Sequence, residues 1–146
     1  MKIYFNYRFV FVSILFFGLL NSSCMRKKCR DTSATNSALV TFGLTDNSKC
    51  IYSTIAFYNS KGFINNSAVT KVELFLNQSY FGEITQVYPT GIGNCTATGT
   101  VSYQFISNKS IDWEAKFTLA NGSVVYSNGV VSPDSSLTCM SQDVYQ

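Results

Sequence analysis

The chain has no histidine at all. That absence removes the imidazole on which Ser-His-Asp and Cys-His relays depend. It also removes a principal zinc ligand, and only Cys24 and Cys29 stand near the spacing of a zinc-binding pair. Proline is almost absent, with Pro89 and Pro133 alone. Charge is sparse as well, at 13% of residues, against 15% aromatics. That balance excludes disorder, which needs high charge and low hydrophobicity. The longest apolar run, Phe9–Leu20, has 12 residues. It falls short of the ~20 that a spanning helix requires. No stretch has helical periodicity, and no repeat recurs along the chain.

The net charge of +3 is unevenly placed. Lys2 and Arg8 precede the apolar run, and Arg26, Lys27, Lys28 and Arg30 follow it closely. From Asp31 onward five lysines face eight acids, a net −3. The body is mildly acidic, so nucleic acid is not an expected partner, because binding it needs a basic face on the domain.

What is present begins with a leader. Lys2 and Arg8 form a positive n-region, Phe9–Leu20 an h-region, and Asn21-Ser22-Ser23 a small polar exit. Residues 1–23 are therefore read as a signal peptide. Cys24 follows directly, and here the sequence resembles the bacterial lipoprotein signal, in which small residues precede a cysteine that becomes acylated. That resemblance implies lipid attachment at Cys24 and membrane anchoring, at ~0.8 kcal/mol per buried methylene. Arg26, Lys27, Lys28 and Arg30 would then contact headgroups, each adding about 1 kcal/mol against anionic lipid. Met25 is not the aspartate that marks inner-membrane retention in such signals. The implied address is the outer membrane, on its periplasmic or surface face. Residues 24–37 read as a basic, polar tether.

Residues 38–146 read as one all-β domain. Ala38–Thr45 is an expected first strand and Cys50–Tyr58 a second, apolar along Ile51, Ile55 and Phe57. Asn59–Thr70 reads as a loop with a short strand at Phe63-Ile64. Lys71–Thr85 is an expected hairpin through Asn77-Gln78-Ser79, with Val72, Leu74 and Leu76 on one face. Thr98–Ile106 is another strand. Ile111–Leu119 alternates most cleanly, with Ile111, Trp113, Ala115, Phe117 and Leu119 inward. Asn121-Gly122 signals a type I′ turn, and Asn128-Gly129 a second turn between Val124–Tyr126 and Gly129–Ser132. Leu137–Val144 closes the domain. Seven to eight short strands with regular turns give a small antiparallel β-sandwich, Ig-like or transthyretin-like.

Five cysteines are present. With Cys24 acylated, Cys29, Cys50, Cys95 and Cys139 remain, an even number that favours two disulfides in an exported chain. Spacing alone leaves three pairings open.

The order of features from Val72 to Val144 resembles that of small Bacteroidetes-type envelope lipoproteins with a single β-sandwich domain. The matching pieces are VELFLNQSYFGEI, GNCTATGTVSYQF, DWEAKF, YSNG and SLTCMSQDV. That resemblance implies a Cys95–Cys139 bridge, and Cys29–Cys50 then follows by subtraction. It implies a fold and an envelope location and brings no catalytic residue or cofactor.

Carboxylates are what remain for chemistry. Asp112 and Glu114 share one strand face at i and i+2, a gap compatible with a glycosidase pair. The simpler reading is a solvated face continued by Lys116. Trp113 falls in the inward register and so reads as core. The expectation is a lipid-anchored, non-catalytic envelope protein of binding or structural role. The alternative is a secreted glycan-binding module or glycan hydrolase using Asp112, Glu114, Tyr80 and Tyr126.

Overall fold

The computed structural model describes residues 29–37, 46 and 50–145. The leader, Cys24, Arg26, Lys27, Lys28 and the expected strand Ala38–Thr45 lie outside the described residues. Eight strands are present among those described: β1 Thr54–Tyr58, β2 Phe63–Ile64, β3 Ser67–Leu76, β4 Ser79–Ile84, β5 Val101–Gln104, β6 Ile111–Leu119, β7 Val124–Val131 and β8 Cys139–Asp143. They form a three-stranded sheet, β5-β1-β8, and a five-stranded sheet, β2-β3-β6-β7, in which β4 also pairs with β3. The chain is a small β-sandwich, with the core between the sheets.

β6 is the centre of that core. Its alternation makes one face apolar, and Ile111, Trp113, Ala115, Phe117 and Leu119 are all buried. β3 adds Val72, Leu74 and Leu76 beside them. Ile55 and Phe57 of β1 meet them from the other sheet, with Phe57 and Trp113 rings 6.2 Å apart. Ala56 is buried as well, so β1 is covered on both faces. The loop carrying Cys95 provides cover on the outside: Cys95 Sγ lies 3.4 Å from the carbonyl oxygens of Thr54 and Met140.

Several elements differ from the expectations, each for a local reason. β1 and β8 run parallel, not antiparallel, while the other pairs are antiparallel. β1 begins at Thr54, four residues after Cys50. Ile51 is exposed, and Ser53 is fully buried. Its hydroxyl accepts from the Asp134 N–H at 3.1 Å and donates to Met140 Sδ at 3.3 Å, which satisfies it inside. β5 is shorter than expected, and β3 begins at Ser67.

Turn chemistry also departs from the simple signals. Asn77 and Gln78 have φ of 46° and 67°, and Asn65 and Asn66 have 50° and 62°. Both are two-residue loops with positive φ throughout, as a type I′ turn requires. At Asn121-Gly122 only Gly122 has positive φ, at 82°. There the Gly122 N–H donates to the Leu119 carbonyl, and the Leu119 N–H donates to that of Ser123, each at 2.9 Å. That is a three-residue loop with glycine in the left-handed position. Asn128-Gly129 makes no turn; β7 runs straight through it. Gly129 lies opposite Trp113, and a Cβ there would come 2.9 Å from the indole. The glycine makes room for the tryptophan.

The folded body begins before residue 38. Cys29 and Ala34 are buried, and Cys29 is bridged to Cys50 with Cα atoms 4.8 Å apart. Asp31 accepts from the Tyr52 hydroxyl at 2.8 Å and from the Ser33 N–H at 2.9 Å. The Thr35 N–H donates to the Ile51 carbonyl at 2.7 Å. Residues 29–37 are packed structure rather than tether, because their polar side chains bond to the domain's own backbone and Tyr52.

This attachment sets a pH dependence. The backbone N–H of Ser33, then the Tyr52 hydroxyl, hold the Asp31 carboxyl below its ordinary range. Ser136 does the same to Asp134. Burial, then the Asp31 carboxylate, push the Tyr52 phenol up. A lowered acid adds stability above its unfolded pKa and loses it as pH falls through the folded value. A raised phenol loses its contribution as pH rises from its ordinary value through the raised one. Stability is therefore expected to fall below about pH 4 and again above about pH 10. Urea melts across pH, comparing wild type with Asp31→Asn, check this. A wild-type acid limb that Asp31→Asn leaves unchanged would rule Asp31 out as a contributor.

Candidate functional site

The outer face of the five-stranded sheet carries a cleft at one end. Its floor comes from register: Phe75 of β3 lies opposite Glu114 of β6, which lies opposite Asn128 of β7. Asp112 and Val130 form the next pair. Gln78, in the β3–β4 turn, closes the end, and the cavity measures about 450 Å³. The turn is latched in place. The Asn77 N–H donates to the Asp112 carbonyl at 2.8 Å, and the Asp112 N–H donates to Asn77 Oδ1 at 3.1 Å. Phe75 meets Tyr80 edge to face at 5.8 Å.

The charge at this face is sorted. Glu73 binds Lys71 at 2.8 Å and Lys116 at 3.0 Å. The Lys71 ammonium, then that of Lys116, hold the Glu73 carboxyl below its usual range, and Glu73 raises Lys71 in return. These ion pairs border the cleft without lining it. Its lining holds Asp112, Glu114, Gln78 and Asn128, and neither lysine nor arginine. Such a lining offers carboxylate and carboxamide groups beside an aromatic ring. It suits a neutral polyhydroxylated or cationic ligand and disfavours an anion.

Each sequence-expected residue has a place. Asp112 and Glu114 are exposed, share the outer face and both line the cleft. Their strand spacing puts them ~6.5–7 Å apart. Trp113 between them points into the core and is 3% exposed, so it offers no stacking surface. Tyr80 and Tyr126 are exposed. Tyr80 adjoins the cleft through Phe75, whereas Tyr126 sits beside Lys116. Cys29 pairs with Cys50, and Cys95 with Cys139, whose Cα atoms are 5.7 Å apart. Arg30 is exposed next to Cys29. Among the described residues no group of three or more Cys, Asp or Glu converges as metal ligands.

Phe75, Gln78, Asn128 and Val130 went unread as site residues. Outward alternation in β3 and β7 marks three of them as surface. Only the pairing of β3, β6 and β7 brings them together, and no local signal carries that register. No protein-family model, curated protein or solved structure matches the chain.

Proposed function

We propose that the chain is an exported, lipid-anchored envelope protein that works by binding and carries out no catalysis. The observation that supports this most is the cysteine arithmetic. Four of the five cysteines are spent on each other. A cysteine forms one disulfide, so Cys24 has no partner left within the chain. It directly follows the apolar leader and two serines, where acylation would use it. Two disulfides also suit an oxidising, exported compartment.

The missing histidine and the cleft support the binding half. Asp112 and Glu114 lie on an open sheet face, and no nucleophile or acid–base relay lines the cleft with them. The cleft offers a partner contact surface, with Phe75 and Val130 as apolar elements.

Cell fractionation tests the anchor. The wild-type chain is expected in the membrane pellet after a high-salt wash, and in the detergent extract. Cys24→Ser is expected to move at least about tenfold into the soluble fraction, since the basic residues alone give weak, salt-sensitive attachment. A Cys24→Ser chain that stays membrane-bound in high salt would remove the lipid from the account.

A further inference from the structure

Three exposed aliphatic residues gather at one end of the three-stranded sheet. The Phe105 N–H donates to the Ser53 carbonyl, and the Thr54 N–H to that of Thr138. Ile106 and Leu137 therefore each sit one residue outside these bonds, and Ile51 leads into β1 from the same side. They are 84%, 46% and 59% exposed, with Ile106 the most exposed large apolar residue described. Among the described residues these three aliphatic side chains stay largely open to solvent.

The same end is where the chain emerges. Cys50 adjoins Ile51 and is bridged to Cys29. Between Cys29 and Cys24 lie Met25, Arg26, Lys27 and Lys28. Five residues span at most about 17 Å. β3 alone has ten residues, about 33 Å of strand. With Cys24 held in a bilayer, the Cys29 end stays nearest to it, and the end bearing Phe63 cannot take its place. Arg30 and Lys109 are exposed at this end. The charge at this end is mixed, since Asp112, next to Ile111 at the start of β6, is exposed here too. The carboxyls of Asp31 and Asp134 there are turned into their own turns, bonded to Ser33 and Ser136.

We propose that this end of the sandwich docks on the bilayer that holds Cys24, with Ile51, Ile106 and Leu137 entering the boundary between headgroups and acyl chains. The proposal rests on the anchored reading above. Arg30 and Lys109 meet anionic headgroups, and the aliphatic residues meet the apolar layer beneath. The sandwich then stands in one orientation, with its far end directed away from the membrane.

Hydroxyl-radical footprinting of the purified mature chain in phosphatidylethanolamine–phosphatidylglycerol nanodiscs tests this. The reference is Cys24→Ser free in solution. Labelling of Ile51, Ile106 and Leu137 is expected to fall about fivefold in the nanodisc, as apolar insertion excludes water. Labelling of Phe63 and Val124 is expected to hold. Uniform labelling at both ends, or protection of Phe63 instead, would overturn the proposal. The intact mass of the same sample reports the acyl group separately. If Cys24 carries none, the anchored reading fails, and vesicle flotation of that chain still decides on docking. Flotation that Ile106→Ser with Leu137→Ser abolishes would support the docking face; no flotation would overturn it.

Discussion

Phe117→Ala is expected to cost about 3–5 kcal/mol of folding stability. Phe117 is fully buried near the end of β6, between Val72 of β3 and Val125 of β7. Its ring meets Tyr145 edge to face at 5.8 Å, so the last described residue also packs on it. Truncation would remove the apolar area and leave a cavity that two flanking strands cannot close. A domain with 5–15 kcal/mol in total would keep little margin. Glu114→Ala, three residues away on the outward face, is expected within about 0.5 kcal/mol of wild type. Urea midpoints of the two variants give the comparison. A loss under about 1 kcal/mol for Phe117→Ala would mean that β6 is slipped by one residue, with its other face inward.

Removing the Cys95–Cys139 bridge by double serine substitution is the second large effect. The bridge closes a loop with a sequence separation of 44. Chain entropy then gives about 4 kcal/mol, against about 3 for Cys29–Cys50, whose separation is 21. The structural consequence exceeds the entropy. Cys139 begins β8, and the Cys95 loop lies across β1 and β8, the one parallel strand pair among those described. Without the bridge the cover over Ala56 would be free to lift. The melting temperature is expected to drop by roughly 10–20 °C. The Cys29–Cys50 variant is expected to drop less. Equal melting of wild type and Cys95→Ser/Cys139→Ser would show that the loop is held by its other contacts.

β6 was legible in the sequence because its alternation is strict over nine residues and each polar residue falls outward. The β3–β4 hairpin was legible for the same reason, although its turn uses Asn77-Gln78 without glycine. The ends of β1 and β5 were not. Ile51 and Ile106 extend the apolar runs of their strands, and a run does not say which of its members is solvent-facing. Asn128-Gly129 carried a turn signal that the strand overrides, because Gly129 answers to the indole of Trp113 across the ladder. Asp31 to Ser37 reads as linker by composition. It folds because Asp31 finds Tyr52, 21 positions on. The cleft was half legible. Asp112 and Glu114 share a face by simple parity, but Phe75 and Asn128 join them only through cross-strand register, which is non-local.

The central claim is that Cys24 is a lipid attachment site, and the mass of the mature N-terminal peptide tests it most directly. The chain is purified from membranes without reducing agent and digested, and its first peptide is measured. The expected peptide begins at Cys24 with acyl mass on it, while Cys29 is recovered linked to Cys50. A free amine at residue 24 or later with no acyl mass would contradict it.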